Sequence, residues 1–252
     1  MPPIIQLKNI KKKFGKRIVL DGVNLEINDK EIFGIIGMSG SGKSTILKTL
    51  VGYYEPELGD LLFYSYKDKR YKPIIKHLIE VRKTFGFSAQ TSSFYPKLTV
   101  EENLLHFGAL YKLPYKITKI NTERLLKTTE LFDARKQLAE TLSGGMEKRL
   151  SIACSLIHNP KILILDEPTA DLDPIRRKET WKLINWLHKA GKTIIIASHF
   201  ISELELVCTR VALLHQQKII AVGTPSQLKK KYKKNSLESV FESIQKRHSS
   251  KK

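Results

Sequence analysis

A glycine-rich segment from Gly37 to Thr45 constrains this chain more than any other feature of its sequence. The segment, Gly-Met-Ser-Gly-Ser-Gly-Lys-Ser-Thr, matches the pattern GxxxxGK followed by Ser or Thr. An apolar strand pattern, Glu31 to Gly37, precedes it, and a helical pattern, Ser44 to Gly52, follows it. Glycines let successive backbone N–H groups turn towards one anion, and the helix presents its positive end to the same place. The segment therefore predicts a binding site for nucleotide phosphates.

Within this phosphate loop we expect Lys43 to reach the β- and γ-phosphates and the Ser44 hydroxyl to bind Mg²⁺. The predicted nucleotide-binding residues of the loop are Gly37, Met38, Ser39, Gly40, Ser41, Gly42, Lys43, Ser44 and Thr45. Composition alone would produce such a match in on the order of 1% of chains, so the prediction is specific.

Two continuous apolar strands, Lys161 to Asp166 and Lys192 to Ser198, are separated by a helical pattern around Arg177 to Ala190. Buried strands that alternate with helices predict an α/β fold with a parallel sheet. Ligands bind at the carboxyl ends of such strands, where Asp166 and Glu167 follow the first one. Asp166 is suited to hold Mg²⁺ through water. Glu167 is placed to polarise a water for attack on a γ-phosphate.

Other patterns outline the rest of the chain. Strands are predicted at Ile4 to Leu7, Phe14 to Leu20, Val23 to Ile27 and Ile32 to Ile36. A helical pattern runs from Val100 to about His158, and Thr99 before Glu101 and Glu102 resembles a helix start. After Pro225 we expect a helix, a lysine-rich turn and a short amphipathic helix that contains Leu237, Val240, Phe241 and Ile244.

Composition bounds the class of protein. The chain has 252 residues, of which 41% are hydrophobic and 27% charged, a balance typical of a globular fold with a sizeable core. Its apolar runs, such as Ile162 to Leu165, are far shorter than the roughly 18 residues of a membrane span. Residues Met1 to Asn9 lack the pattern of a secretion signal. Cys154 and Cys208 are expected to be reduced core thiols.

The formal net charge of +19 is concentrated in three segments. Met1 to Arg17, Ser65 to Lys83 and Lys229 to Lys252 carry net charges of +6, +5 and +7, and the second is predicted to be strand and loop. Lysine outnumbers arginine 34 to 10, whereas nucleic-acid surfaces favour arginine interleaved with aromatic residues. We therefore do not expect a nucleic-acid partner. Contact of the second or third segment with anionic lipid is a hypothesis, and solvated lysine-rich faces are the alternative.

The segment Leu142 to Leu150, Leu-Ser-Gly-Gly-Met-Glu-Lys-Arg-Leu, resembles the signature of ATP-binding cassette (ABC) ATPases. Its serine lies 100 residues after Lys43 and 23 residues before Asp166. Ser143, Gly144 and Gly145 would begin a helix from Met146 to His158 and offer free N–H groups to an anion. Because the phosphate loop already provides one site, this second site implies that it binds the nucleotide of another copy.

Further elements of the same resemblance follow in order. Gln90 resembles the glutamine that senses Mg²⁺ and the membrane partner, and His199 resembles the switch histidine that touches the γ-phosphate. Asp173, in Ala170 to Asp173, resembles the loop that crosses the dimer interface. Phe14 stands where the family stacks an aromatic ring on adenine. The resemblance implies ATP and Mg²⁺ as cofactors, with Ser44, Gln90 and Asp166 at the metal and Glu167, His199, Gln90 and Lys43 as catalytic residues.

The implied fold is a P-loop NTPase core with a mixed or parallel sheet, an antiparallel β subdomain and an inserted α-helical signature subdomain at about residues 91–158. The ABC ATPase domain would cover residues 1–225 and a basic helical tail residues 226–252. One phosphate loop and one signature imply that the chain must pair, most simply as a homodimer. We expect it to dimerise on ATP and to separate after hydrolysis.

The subtype is also implied by resemblance. The segments Phe94 to Leu104, His106 to Tyr111 and Ser236 to Phe241 look like those of ATPase subunits from exporters of drugs, sodium or polysaccharide. Met146 replaces the usual signature glutamine, as in that branch, while His215 to Lys218 lacks the usual glycine turn. The resemblance implies transmembrane permease subunits as partners and a place on the cytoplasmic face of the cell membrane. A soluble ABC ATPase of iron–sulfur assembly, or one associated with nucleic acid or ribosomes, is the alternative.

Overall fold

A computed structural model of the chain describes residues 2–249. Of these, residues 2–81 with 195–249 form one compact unit, and residues 82–194 form the second. The strands are β1 (Ile5–Phe14), β2 (Arg17–Ile27), β3 (Ile32–Ile36), β4 (Leu58–Ser65), β5 (Arg70–Pro73), β6 (Phe85–Ser88), β7 (Ile162–Asp166), β8 (Thr193–Ser198), β9 (Arg210–His215) and β10 (Lys218–Gly223). The α-helices are α1 (Lys43–Leu50), α2 (Leu78–Thr84), α3 (Val100–Leu110), α4 (Tyr115–Thr128), α5 (Gly144–Leu156), α6 (Pro174–Lys189), α7 (Ile201–Val207), α8 (Pro225–Tyr232) and α9 (Leu237–Ser249).

An antiparallel sheet with strand order β2-β1-β4-β5 forms one layer of the first unit. The single strand predicted from Phe14 to Leu20 is wrong, because Phe14 pairs with Arg17 across a tight turn. Gly15 makes this turn with a φ of 57°, a conformation that glycine adopts without steric cost. The chain therefore reverses at Gly15, and Val23 to Ile27 is continuous with the strand that begins at Arg17.

The strand that precedes the phosphate loop, β3, pairs in parallel with β9 of the same unit. All five residues of β3 are buried, and the strand pairs with β9 from Phe33 to Ile36. β9 continues into β10 through a hairpin in which Gln216 and Gln217 have φ values of 45° and 69°. Positive φ at both central residues is the requirement of a type I′ turn. The hairpin is thus retained although the sequence has no glycine there.

The last helices bury an apolar face within the first unit. Leu237, Val240, Phe241 and Ile244 are each at most 5% exposed. Glu205 of α7 accepts hydrogen bonds from the Lys229 ammonium of α8 and the Leu237 N–H of α9, at 2.5 and 2.8 Å. The predicted helix, turn and amphipathic helix are confirmed, and they pack on the unit. Residues 250–252 of the predicted tail lie outside the described part of the chain.

Helices make up most of the second unit, in which β6 and β7 pair in parallel. Thr99 begins α3 as predicted, since its hydroxyl accepts from the Glu102 N–H and the Glu102 carboxylate accepts from the Thr99 N–H. The continuous helical pattern predicted from Val100 to about His158 is instead three helices. Lys112 and Glu130, with φ values of 56° and 55°, follow the ends of α3 and α4 in the left-handed conformation that stops a helix.

The structure also tests the predictions for the two cysteines, the second basic segment and a membrane span. Cys154 and Cys208 are both buried, as expected, and burial raises the pKa of each thiol. The prediction that Ser65 to Lys83 is strand and loop is wrong for its last part, because the segment contains all but the last residue of the short helix α2. Among residues 2–249, no helix is both long enough and apolar enough to cross a membrane.

Candidate functional site

The phosphate loop lies in the first unit between β3 and α1, as the sequence predicts. Gly40 and Gly42 have φ values of 73° and 110°, in the left-handed region that glycine adopts without steric cost. Lys43 is 6% exposed, and its ammonium group donates to the carbonyl oxygens of Gly37 and Met38 at 2.8 and 3.3 Å. The loop is therefore closed around its own lysine, and the buried ammonium is held at the start of α1.

Close packing fixes the base of the loop. A Cβ atom at Gly37 would lie 2.5 Å from the Ser41 hydroxyl and 2.9 Å from the Leu214 carbonyl oxygen, so only glycine fits. The Ser41 hydroxyl is buried and has no hydrogen-bond partner within residues 2–249. A buried polar atom of this kind is costly unless something completes its bonding. Met38, Ser39 and Gly40 are exposed, whereas Ser44 and Thr45 are partly buried. The loop thus fits an anionic phosphate.

An aromatic cluster holds Phe14 at the end of β1. The ring is 43% exposed and makes an edge-on contact with Tyr54, with centroids 4.9 Å apart. The Lys12 ammonium lies 5.4 Å from the Phe14 centroid and forms a 2.9 Å ion pair with Glu57. The segment that follows α1 is thereby tied to the end of β1. The ring of Phe14 is thus held in place by Tyr54 while nearly half of its surface stays exposed, so it can stack on an aromatic base.

His199 also belongs to the first unit. It comes directly after β8, at the carboxyl end of a fully buried strand. Its ring is exposed and lies 4.1 Å from the ring of Phe200, which precedes α7. This position at a strand end is the one predicted from the sequence.

The two predicted carboxylates lie at the end of β7 in the second unit. Asp166 and Glu167 are 3% and 5% exposed, although both carry ionisable side chains. Glu167 has a φ of 49°, a left-handed conformation that costs a residue with a Cβ about 1 kcal/mol or more. Such strain persists only where the surrounding structure imposes it, and it concentrates at functional sites.

The signature residues begin α5. Ser143 is the N-cap residue, but its side chain makes no capping hydrogen bond, so the first N–H groups of the helix have no bond from it. A Cβ atom at Gly144 would meet nothing within 4 Å, whereas one at Gly145 would lie 3.2 Å from the Arg176 side chain. The helix begins at Gly144, two residues earlier than the predicted Met146, and ends at Leu156.

Asp173 caps α6 of the same unit. Its carboxylate accepts hydrogen bonds from the N–H groups of Ile175 and Arg176, at 2.9 and 3.1 Å. Pro174 follows at the first helical position, where its missing N–H costs nothing. Because Arg176 also packs on Gly145, the loop at Asp173 and the signature are joined through one side chain.

Gln90 is exposed and follows β6 after a short interval. Its carbonyl oxygen accepts a 2.5 Å hydrogen bond from the Lys148 ammonium of α5. Burial lowers the pKa of Lys148, while the charges of Asp171, Asp166 and the neighbouring Glu147 and Glu167 oppose that shift. Lys148 therefore lies near the acidic residues of the unit.

Sequence reasoning did not identify Lys148, although the residue lies inside the signature. Its importance depends on neighbours that are about 20 or 60 residues away in the chain, and no local pattern shows them. Each unit thus holds a coherent set of predicted residues. The first contains the phosphate loop, Phe14 and His199, and the second contains Gln90, the signature, Asp166, Glu167 and Asp173.

Known proteins resemble this chain over most of its length. A family profile described as "ABC transporter" matches residues 20–170. The linearmycin resistance ATP-binding protein LnrL of Bacillus subtilis is 33% identical over 225 residues, which are 89% of this chain and 70% of LnrL. The probable multidrug ABC transporter ATP-binding protein YbhF of Escherichia coli is 37% identical over 226 residues, which are 90% of this chain and 38% of YbhF.

A solved structure gives the same result for the fold. The cbiO1 protein of Clostridium perfringens, described as part of the ABC transporter complex cbiONQ, superposes with a TM-score of 0.80 at 31% sequence identity. The match covers 90% of this chain and 91% of cbiO1. The predicted α/β fold of the P-loop NTPase type is thereby confirmed.

Proposed function

Because the chain belongs to the ABC transporter family, as an ATP-binding subunit that hydrolyses ATP, we propose that it powers an exporter whose membrane-spanning subunits are separate chains. The observation that carries this proposal is the family match over residues 20–170 together with the closed phosphate loop around Lys43. The names of LnrL and YbhF, which describe linearmycin resistance and probable multidrug transport, support the exporter branch. A soluble ABC ATPase is not favoured, because these relatives are named as resistance or transporter proteins.

In this proposal the first unit binds the nucleotide. The N–H groups of the phosphate loop and the Lys43 ammonium bind the β- and γ-phosphates, once Lys43 exchanges its loop carbonyls for phosphate oxygens. Phe14 stacks on the adenine, and His199 approaches the γ-phosphate. The buried Ser41 hydroxyl supports this assignment, since a phosphate oxygen would supply the partner that it lacks within the described residues.

The second unit would supply the groups that act on water and metal. Asp166 and Gln90 of this unit carry the side-chain oxygen atoms that Mg²⁺ prefers as ligands, and the ion would neutralise charge on the phosphates. Within residues 2–249 no three His, Cys, Asp or Glu residues cluster as a metal cage, in agreement with an ion held largely by the substrate's own phosphates. Glu167, held in a strained conformation at the strand end, orients the attacking water.

The signature would act on the nucleotide of a second copy of the chain. Ser143, Gly144 and Gly145 present the start of a 13-residue helix, whose N–H groups and dipole favour an anion. The side chain of Ser143 does not cap this helix, which leaves it able to bond a phosphate. Asp173 and its helix are joined to the signature through Arg176, so both would move together when two chains close on ATP.

The first experiment tests the catalytic and dimer assignments together. Glu167→Gln should abolish steady-state ATP hydrolysis and should elute as a dimer from a sizing column in saturating Mg-ATP, whereas Glu238→Gln, on the exposed face of α9, should behave as the wild type. A Glu167→Gln protein that hydrolyses ATP normally would refute the role of Glu167. A variant that is inactive yet remains monomeric would refute ATP-driven pairing of the isolated chain.

The surface proposed for the permease lies on the second unit between Gln90 and Tyr111. Asn103 is fully buried, and its amide bonds the backbone of Tyr95, Leu98 and Thr99, so the segment before α3 is held rigidly. Tyr95 and Leu110 are 46% and 57% exposed on this rigid frame. A short cytoplasmic helix of a membrane subunit could bury both side chains.

Co-purification tests this surface. The chain, expressed with the membrane protein encoded beside it, should co-purify from detergent, and the complex should change the rate of ATP hydrolysis. Tyr95→Ala should weaken that association by about tenfold or less, since a partly exposed anchor contributes roughly 1 kcal/mol. ATP hydrolysis that is indifferent to the membrane protein, with no co-purification, would overturn the transporter partner and leave the ATPase assignment intact.

Contact with anionic lipid on the cytoplasmic face remains a part of this proposal. Lys230, Lys231, Lys233 and Lys234 are exposed, whereas Lys229 is paired with Glu205. In the second basic segment Lys72 is buried between Asp68 and Glu80, which lowers that segment's available charge. Changing the four exposed lysines to Gln should reduce binding to anionic vesicles if the tail is responsible. Unchanged binding would remove the tail from the proposal.

A further inference from the structure

An exposed indole separates two cavities in the second unit. Trp186 lies on α6 and is 51% exposed, whereas Trp181, one and a half turns earlier, is 9% exposed. One cavity has a volume of about 600 Å³ and the other about 200 Å³, and both are lined by Thr128 and Trp186. Because they share these residues, the cavities adjoin at the indole. Small-molecule sites have volumes of roughly 300–1,000 Å³, so the larger cavity lies within this range and the smaller one lies below it.

The floor of the smaller cavity is apolar and its polar lining is positive. Leu125, Leu156 and Leu187 are buried beneath it. Arg124 and Lys192 are its only charged lining residues, with no carboxylate among them. Arg124 is exposed and takes part in none of the ion pairs within residues 2–249. A cation beside apolar surface and without a counter-ion favours an anion that can occupy the space.

Lys192 is already oriented at this cavity. Its ammonium group donates to the Asn159 side-chain oxygen at 2.9 Å and to the Pro160 carbonyl oxygen at 2.6 Å. An ammonium group carries three donors, so one remains for a ligand. Burial lowers the pKa of Lys192, and the positive charge of Arg124 lowers it further. An anion placed between the two cations would relieve this repulsion.

The larger cavity adds charge of both signs. Arg149 is 6% exposed and pairs with Glu130 at 2.8 Å and with Glu179 at 3.7 Å, so these three groups carry a net charge of −1, which Lys127 in the lining offsets. Lys182 also lines this cavity and makes no ion pair within the described residues. The balance over both cavities is therefore positive, and the half-exposed Trp186 lines both of them.

We propose that the Trp186 site, formed by Trp186, Arg124 and Lys192, binds a small organic anion with an aromatic body. The ring stacks on the indole, the leucine floor covers its apolar edge, and a carboxylate or phosphate lies between Arg124 and Lys192. The site is built only from the second unit and does not depend on the residues assigned to ATP. A ligand bound there would contact α4 and α6, because side chains of both helices line the site.

The test compares two dyes that share one aromatic body. Anilinonaphthalene sulfonate is an anion and phenylnaphthylamine is its uncharged analogue, and both become fluorescent on binding; the difference between the wild type and each variant isolates this site from other dye sites. Arg124→Gln and Lys192→Gln should each weaken the sulfonate roughly two- to fivefold and leave the neutral dye unchanged. The matched control is Lys189→Gln, because Lys189 is an exposed residue of α6, the helix of Trp186, and does not line the site.

Variants of Trp186 form the second part of the dye-binding test. Trp186→Ala should weaken both dyes by at least about fivefold, and Trp186→Phe should restore most of that loss, because aromatic stacking carries the affinity. Displacement of the sulfonate by AMP would assign a phosphate ligand, and displacement by salicylate a carboxylate ligand. Failure of both competitors, or loss of the neutral dye equal to that of the sulfonate in Arg124→Gln, would overturn the proposal.

Discussion

His158 should make the protein lose stability as the pH falls through the weakly acidic range. Its ring stacks on Tyr111 with centroids 3.7 Å apart, and its Nε2 atom lies 3.1 Å from the Phe85 carbonyl oxygen. Burial lowers the pKa of His158 from 6.5 to about 4, and the charge of Lys192 acts in the same direction. The folded state therefore holds a neutral imidazole that the unfolded chain would protonate.

The sign and size of the effect follow from this shift. Above the unfolded pKa of 6.5 both states are neutral, so the full stability is present. Below it the unfolded state binds a proton that the folded state refuses, and stability falls by about 1.4 kcal/mol per pH unit until the folded pKa is reached. Between about pH 7 and about pH 5 the loss attributable to this ring is roughly 2 kcal/mol.

Urea unfolding of the wild type and of His158→Gln at these two pH values measures this loss of unfolding free energy. Glutamine keeps an N–H that can donate to the Phe85 carbonyl but does not titrate, so the variant should lose about 2 kcal/mol less than the wild type between the two conditions. His77→Gln, at a partly exposed site of the first unit, controls for the general loss of an imidazole. Equal losses in the wild type and His158→Gln would refute the argument.

Three further changes test packing and the nucleotide site. Gly86→Ala should lower the free energy of unfolding in urea by about 1–3 kcal/mol or more, because the new Cβ would lie 2.3 Å from the Ser155 carbonyl oxygen of the backbone. A variant as stable as the wild type would show that the strand can shift. Phe241→Ala should cost about 3–5 kcal/mol, and a loss below about 1 kcal/mol would mean that α9 is not packed. Tyr54→Ala should raise the KM for ATP roughly two- to tenfold at constant kcat, because it removes the edge support of Phe14; a lower kcat at constant KM would contradict this.

Local rules account for the parts of the fold that could be predicted. The phosphate loop needs positive φ at Gly40 and Gly42, and the helix start at Thr99 needs an acidic residue three positions later, so each is visible in a few neighbouring residues. The burial of β3 and β7 is visible in continuous apolar runs. The prediction failed where local signals conflict, as at Gly15, whose turn divides an apolar pattern into two strands.

The family, the fold class, the phosphate loop and the signature could all be predicted from the amino-acid sequence, because these depend on residue types at short, ordered spacings. Three contacts are visible only in the folded chain: Lys148 bonds the backbone at Gln90, Tyr54 supports Phe14, and Trp186 lines two cavities. Each of these contacts joins residues that are distant in the chain. Burial and charge at such places depend on which elements pack together, and that packing is absent from any local pattern.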